Sequence, residues 1–149
     1  MFLYNSELWT LNKTTENKID AFQRRQLRYI INHQWPKKIS NVELYKLTNV
    51  EPWSITIKRR RLNWLGHLVR LPSETPAKQA LLEGLKLSKR KRGRPPLTWI
   101  KLIKQDLSPV INLNTNLDPY GTLATLHELC GDRKNWHSLV SHVMSGNQT

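Results

Sequence analysis

The sequence contains a single cysteine, Cys130, among 149 residues. An internal disulfide is therefore excluded, and one thiol suits a reducing compartment. Long hydrophobic runs are also missing, because the apolar residues 1–4 pass at once into polar ones. No segment approaches the length of a membrane span or a signal-peptide core. These absences predict a soluble, intracellular protein without a membrane partner.

The usual signatures of catalysis are absent as well. The sequence has no phosphate-cradling Gly-rich loop, no nucleophile elbow and no paired carboxylates of the Tyr-x-Asp-Asp type that hold catalytic metals. Each of the four aspartates, at positions 20, 106, 118 and 132, stands alone. The sequence therefore predicts a chain that is not an enzyme and uses no cofactor or small-molecule substrate.

Four residues near the C-terminus have a spacing that resembles a zinc knuckle: His127, Cys130, His137 and His142. A zinc ion there would join the two terminal helices. A knuckle requires more thiolates and a tight turn, whereas histidine is common on polar helix faces. We favour the interpretation without metal and keep zinc as the alternative.

Positive charge is what the sequence has in excess. Lysine and arginine number 24 against 11 acidic residues, giving a formal charge of +13 and a pI near 10.2. Residues 111–149 carry a net −1, which leaves +14 on residues 1–110. Such a balance is typical of proteins that bind RNA or DNA. Trp64 and Trp99 could stack on bases, although we interpret both as core residues.

The densest charge lies in a strap at residues 85–97, which contains Lys89, Arg90, Lys91, Arg92, Gly93 and Arg94 followed by two prolines. This stretch is too basic and too interrupted by Gly and Pro to be core. It could bind RNA phosphates, lie in the minor groove of A·T-rich DNA, or act as a nuclear-import signal. A solvated linker is the remaining alternative. The import signal favours a nuclear location.

Apolar residues recur with helical periodicity along nearly the whole chain. In the first such segment the apolar stripe is predicted to consist of Ile19, Phe22, Leu27, Ile30 and Ile31, with the basic residues mostly off it. We predict helices over residues 15–32, 52–71, 76–83, 123–130 and 133–143, with one more after residue 40 and one from Thr98 to before Pro109. Ser40 and Glu43 form a capping box, Thr98 and Asp132 are N-caps, and Gly84 is the C-terminal cap of the helix over 76–83. A brief strand is possible at 85–87. Lys58 and Arg61 fall within an apolar arc, so they should snorkel or pair unless nucleic acid meets that edge.

The predicted fold is mainly α: a small helical domain with the basic strap and a short C-terminal helical hairpin. Residues 1–107 form the basic helical region, 108–121 a polar linker, 122–144 the hairpin and 145–149 a tail.

Six segments, in order, resemble the region just beyond the polymerase core in reverse transcriptases of non-LTR, LINE-type retrotransposons. They are residues 3–11, 21–29, 35–41, 59–72, 92–99 and 131–136, similar to the family's LYGSETWTL, AFEMRCLRR, WRDRVTN, RRRLRWLGHVLRMP, RGRPxxTW and DREAW. Asn5 replaces a glycine and Leu8 a threonine, so the turn there is expected to be reshaped. Lys37 and Lys38 replace a mixed-charge pair.

The resemblance implies thumb-like helices that contact template RNA and target DNA during target-primed reverse transcription. The fingers, palm and endonuclease of this RNA-directed DNA polymerase family have no counterpart in the chain, so we expect binding without polymerisation. The candidate phosphate-binding residues are Arg24, Arg25, Arg28, Arg59, Arg60 and residues 89–94. Two alternatives are an A·T-rich minor-groove module using Arg92-Gly93-Arg94 and a helical interaction remnant without a binding role. RNA against DNA and the oligomeric state stay open.

Overall fold

The computed structural model describes residues 2–33, 36–86, 97–110 and 119–145, with the backbone alone at positions 119 and 120. These ranges contain α-helices and one short 3-10 helix but no strand, which confirms the mainly α fold class. The helices are α1 (Lys13–Ile30), α2 (Asn41–Thr48), α3 (Trp53–Arg70), α4 (Pro76–Lys86), α5 (Trp99–Leu107), α6 (Pro119–Gly131) and α7 (Arg133–Ser145); the 3-10 helix is Ser6–Leu8.

The chain divides into two compact units. The smaller unit is Leu11–Lys58, and the larger unit combines Met1–Thr10 with Arg59–Thr149. Most of the predicted linker at 108–121 and of the tail at 145–149 lies outside the described residues. The sequence-based division into region, linker and hairpin therefore stays a prediction.

Three predicted helix starts are confirmed by their caps. Ser40 Oγ accepts from Glu43 N at 3.1 Å, while Ser40 N donates to Glu43 Oε2 at 3.1 Å, forming the reciprocal capping box. Thr98 Oγ1 accepts from Lys101 N, and Asp132 Oδ1 accepts from Lys134 N. Each side chain satisfies a backbone donor that the first helical turn leaves unpaired.

The predicted end of α4 is wrong. The helix continues through Gly84 to Lys86, so Gly84 is not a C-terminal cap and residues 85 and 86 are not a strand. A Cβ added at Gly84 would lie 3.5 Å from Ile100 Cγ1, which places this turn of α4 against α5. Apolar packing by Leu81 and Leu85 outweighs the roughly 1 kcal/mol helix penalty of glycine.

The smaller unit packs α1 against α2, with Leu44 fully buried. The side chain that α1 buries most deeply is polar: Gln23 is 2% exposed. Its Oε1 accepts from Trp53 N at 2.8 Å, and its Nε2 donates to Glu51 O at 2.9 Å. Asp20 accepts from both Ser54 N and Ser54 Oγ. Because Pro52 precedes α3 and cannot cap it with its side chain, α1 supplies that cap from a distance in sequence.

The predicted apolar face of α1 is therefore wrong in part. Ile19, Leu27 and Ile31 are partly buried, but Phe22 and Ile30 are exposed. Tertiary capping places Asp20 and Gln23 on the inner side of α1, and this rotation turns Phe22 toward solvent.

The larger unit contains a buried charge on α3. Arg61 is 1% exposed; its Nε donates to Asp106 Oδ2 at 2.9 Å, Nη2 lies 2.8 Å from the same oxygen, and Nη1 donates to Trp9 O at 3.2 Å. The expectation that Arg61 pairs is confirmed. A buried guanidinium requires such partners because its desolvation is costly. The pair joins α3 to α5 and to the N-terminal segment.

Gly66 is the contact point between α3 and α7. Trp136 is buried against it, and its Nε1 donates to Leu62 O at 3.1 Å. A Cβ at position 66 would clash with Nε1 and Cδ1 of the indole ring. The missing side chain therefore lets Trp136 reach the backbone of α3.

We predict that Asp106→Ala lowers the free energy of unfolding by about 3 to 5 kcal/mol, since it leaves the Arg61 guanidinium buried without its carboxylate. The double variant Arg61→Met/Asp106→Leu should recover most of that loss, because neither residue then carries a buried charge. Urea unfolding followed by circular dichroism measures both effects. Glu83→Ala, which removes the exposed contact with Lys86, is the control and should change stability by at most about 1 kcal/mol. Equal unfolding midpoints for Asp106→Ala and the parent would contradict this role.

Candidate nucleic-acid interface

The six basic-strap residues, Lys89, Arg90, Lys91, Arg92, Gly93 and Arg94, lie outside the described residues. The structure does describe the residues on either side of this stretch. The preceding residues finish α4, and Leu97 and Thr98 lead into α5. In the sequence, the strap thus lies between two helices that the structure describes.

Three candidate arginines belong to α1 in the smaller unit. Arg25 is exposed and Arg24 is partly buried. Arg28 has a structural role, since its Nη2 donates to Asn41 Oδ1 at 2.8 Å and to Ile39 O at 3.3 Å. Arg28 therefore links the last turn of α1 to the start of α2, and Arg24 and Arg25 are the better placed for a ligand.

The acidic residues of the smaller unit do little to neutralise this charge. Residues 11–58 hold nine basic and four acidic side chains, a net +5. Asp20 is bonded to Ser54 at the start of α3, and Glu43 is bonded to Ser40 at the start of α2. The Ser40 hydrogen bonds hold the pKa of Glu43 below its usual value, so this carboxylate stays ionised as a cap. Two of the four carboxylates thus serve helix ends instead of neighbouring cations.

The other two candidate arginines belong to α3 within the larger unit. Arg60 is exposed as a residue, yet its Nη1 donates to Leu3 O at 2.6 Å and to Ser6 Oγ at 3.4 Å. Arg59 is partly buried. Arg60 thus holds the N-terminal segment against α3, next to a turn in which Asn5 adopts φ 53° and ψ 23°. Asparagine is among the few residues that tolerate this left-handed conformation.

Sequence reasoning missed an exposed line of side chains on α1. Lys18, Phe22, Arg25 and Tyr29 are spaced i, i+4, i+7 and i+11, and all four are exposed. Phe22 is 46% and Tyr29 71% exposed. The spacing is visible in the sequence, but the helical periodicity of the apolar residues predicts Phe22 on the buried face. Cations alternating with aromatic rings can serve both phosphates and bases.

Trp64 and Trp99, interpreted from sequence as core, are partly buried and line a cavity of about 620 Å³ in the larger unit. Trp99 is oriented by its Nε1, which donates to Glu7 O at 2.7 Å. The remaining lining includes Leu68, Leu81, Leu85, Ile100, Lys101 and Lys104. The cavity is mainly apolar, so it adds no further phosphate-binding group beyond the two lysines.

The possible zinc ligands are not brought together. Cys130 is fully buried, whereas His127, His137 and His142 are exposed, and no group of metal-binding side chains forms within the ranges that the structure describes. Burial raises the pKa of the Cys130 thiol to about 12, against a smaller lowering by Arg70. His127 Nε2 lies 3.1 Å from Lys78 Nζ, a cation. A protonated thiol and a neighbouring ammonium are poor surroundings for zinc.

Lys78 itself is buried for a structural reason. Its Nζ donates to Val69 O at 2.8 Å and to Leu71 O at 2.7 Å, which satisfies carbonyls at the end of α3. Lys78 and Arg61 are therefore both cations that bond groups inside the larger unit.

None of the helices in the described ranges is both long and apolar enough to cross a membrane.

One curated protein is similar to this chain and bears on its origin. No protein-family model matches the sequence, and no solved structure matches it. The chain is similar to an uncharacterized transposon-derived protein of Caenorhabditis elegans, with 22% identity over 142 residues. The alignment covers 92% of this chain and 48% of that protein, so the chain spans about half the length of its relative. This similarity agrees with a transposon origin.

We predict that Cys130 reacts with thiol-specific disulfide reagents far more slowly in the native protein than in urea. At pH 8 a pKa near 12 in place of 9.0 lowers the thiolate fraction by roughly 10³-fold, and burial hinders access further. The raised pKa also means that its contribution to stability is present below pH 9 and is lost as the pH rises toward 12. The reactivity is measured by the labelling rate at several pH values. Rapid native labelling would contradict the buried thiol with its raised pKa. Stoichiometric zinc that is lost with stability in Cys130→Ala would contradict the metal-free interpretation.

Proposed function

We propose that this chain is a nucleic-acid-binding segment derived from a non-LTR retrotransposon reverse transcriptase. It holds template RNA or target DNA by the phosphates, in the nucleus, and carries no polymerase chemistry of its own. The transposon-derived relative supports the origin. The ordered resemblance of six segments to the region beyond the polymerase core supports the more specific assignment.

The observation that carries the binding role is the excess of positive over negative charge in the chain. The sequence has 13 more basic than acidic residues, and carboxylates such as Asp20 and Glu43 are bonded to helix ends. The exposed side chains of Lys18, Arg25, Lys37, Lys38 and Lys46 contribute to the net +5 of the smaller unit. Phosphates are the abundant polyanions that such a surface attracts, with release of condensed counterions.

The basic strap extends this argument to the larger unit. Five cations lie within six residues in the sequence between α4 and α5, so the strap offers several phosphate contacts within a short length of chain. Arg60 already bonds Leu3 and Ser6. The strap is therefore the strongest candidate for phosphate contact in this unit.

We expect that replacing Lys89, Arg90, Lys91, Arg92 and Arg94 by alanine weakens nucleic-acid binding steeply. If all five contact phosphates, the slope of log K against log salt should shift by about 4 to 5 for duplex DNA, or about 3 to 4 for single strands. Mobility-shift titrations at several salt concentrations measure the slope. The variant should keep its helicity, because the replaced residues lie outside the apolar stripes.

The matched control is Arg133→Ala/Lys134→Ala, which removes two exposed cations from the part of the sequence with a net −1 and should shift the slope little. An unchanged slope in the quintuple variant would make the strap a spacer and move the interface to the basic helix faces. Selective loss of A·T-rich duplex binding when only Arg92 and Arg94 are replaced would favour the minor-groove module. A parent chain that binds neither RNA nor DNA would overturn the proposal in favour of the non-binding remnant.

The proposal also implies that the chain does not polymerise. Primer extension on an RNA template should give no nucleotide incorporation at any Mg²⁺ concentration, since nucleotidyl transfer requires paired carboxylates for metal ions. A full-length reverse transcriptase serves as the positive control. Robust incorporation by the purified 149-residue chain would show that this part of the proposal is wrong.

A further inference from the structure

We propose that the exposed face of α1 formed by Lys18, Phe22, Arg25 and Tyr29, the α1 stripe, binds a single strand of nucleic acid. In this arrangement the two rings stack on unpaired bases and the two cations contact neighbouring phosphates of the same strand. The inference rests on the proposed function and names the form of nucleic acid that this one surface takes.

The geometry of an α-helix places the four side chains in one row. At 3.6 residues per turn, positions 18, 22, 25 and 29 fall within an arc of roughly 60°. Both carboxylates of α1, Glu16 and Asp20, project from the opposite side by the same periodicity. Asp20 is bonded to Ser54 there, and Glu16 is paired with Lys13 at 3.6 Å. The α1 stripe therefore contains cations and rings without a carboxylate among them.

The spacing of the rings suits a polynucleotide. Seven residues of helix separate Phe22 from Tyr29, a rise of about 10 Å, which corresponds to roughly three base steps at 3.4 Å each. Arg25 lies between the two rings, and Lys18 lies one turn before Phe22. Cation and ring alternate along the helix, so each ring has a cation one turn away that can contact a phosphate next to the stacked base.

The rings also have different supports. Phe22 packs against Trp53, with ring centroids 6.1 Å apart and a 38° tilt, so that its orientation is fixed before any ligand binds. Tyr29 is 71% exposed and offers a broad ring surface. A single exposed aromatic residue needs no explanation. Two of them in register with two cations on the solvent side of one helix do.

The stripe fits single strands better than duplexes. In a duplex the faces of the bases are covered by neighbouring base pairs, so only the phosphates remain for a surface of this kind. Unpaired bases expose their faces, and stacking on aromatic side chains is tolerant of sequence. Single-stranded RNA and single-stranded DNA share this chemistry.

The deciding experiment replaces Tyr29, because this exposed side chain contributes little to the core and the variant should keep its fold. Fluorescence anisotropy of the full chain with labelled 12-mers of deoxythymidine, uridine and a 12-base-pair duplex gives three dissociation constants. Tyr29→Ala should weaken both single-stranded complexes by roughly 5- to 150-fold, the equivalent of losing one stacked base, and leave the duplex complex nearly unchanged. Tyr29→Phe keeps the ring and should bind as the parent does.

Tyr4→Ala is the matched control, since Tyr4 is 70% exposed in the larger unit, and it should bind single strands as the parent does. Equal losses for Tyr4→Ala and Tyr29→Ala, equal losses for single strands and duplex, or no loss in Tyr29→Ala would each overturn the stripe while leaving the proposed function intact. A parent chain that binds none of the three probes overturns both. The two single-stranded probes also reveal whether RNA or DNA is preferred.

The cations are tested separately by the salt dependence. Lys18→Ala/Arg25→Ala should lower the slope of log K against log salt by about 1.4 on single strands, at 0.7 per phosphate contact. Lys37→Ala/Lys38→Ala removes the same charge from exposed positions outside α1 and should lower it less. Equal slopes for the two double variants would show that the charge acts without regard to position, and would overturn the phosphate contacts assigned to the stripe.

Discussion

The buried ion pair between Arg61 and Asp106 is the constraint on which the larger unit depends. A guanidinium at 1% exposure is stable only while its donors are satisfied, and Arg61 meets that requirement with a carboxylate on α5 and the carbonyl of Trp9. One side chain of α3 therefore bonds both α5 and the N-terminal segment at Trp9. Two more elements are bonded to the backbone of α3 in the same unit. Trp136 of α7 packs on Gly66 and donates to Leu62 O, and Lys78 of α4 donates to the carbonyls at the end of α3.

The smaller unit depends on an exchange of polar groups between α1 and α3. Asp20 and Gln23 of α1 bond the first amides of α3, at Ser54 and Trp53. This removes a carboxylate from the charge balance of α1 and determines which side of α1 is turned inward. The exposed row of cations and rings on the other side is a direct consequence of that capping.

The ion pair and the capping contacts distinguish cations that are bonded within the fold from cations that are exposed to a ligand. Arg61, Lys78 and Arg28 are cations bonded within the fold, so the formal charge of +13 overstates what a ligand can meet. Within the described residues, exposed cations such as Lys18 and Arg25 of α1 are the part that remains for a polyanion, and the sequence adds those of the strap. The candidate interface is therefore smaller than composition alone suggests, and it includes aromatic rings that composition alone could not place.

The sequence by itself determined the helical class, most helix starts and the charge. Ser40, Thr98 and Asp132 cap helices through contacts two or three residues away, and local contacts of this kind can be recognised from spacing. The sequence also carried the resemblance to retrotransposon reverse transcriptases, and the similarity to a transposon-derived protein of Caenorhabditis elegans agrees with a transposon origin.

Only the tertiary structure decided the features that depend on distant partners. Gly84 continues a helix because α5 packs beside it, and a buried Gln23 displaces Phe22 from the core because the start of α3 requires a cap from α1. Sequence periodicity indicated that Arg61 should pair, but it could not identify Asp106, 45 residues away, as the partner. In each case the deciding energy is a long-range packing contact or hydrogen bond, which a local pattern does not encode.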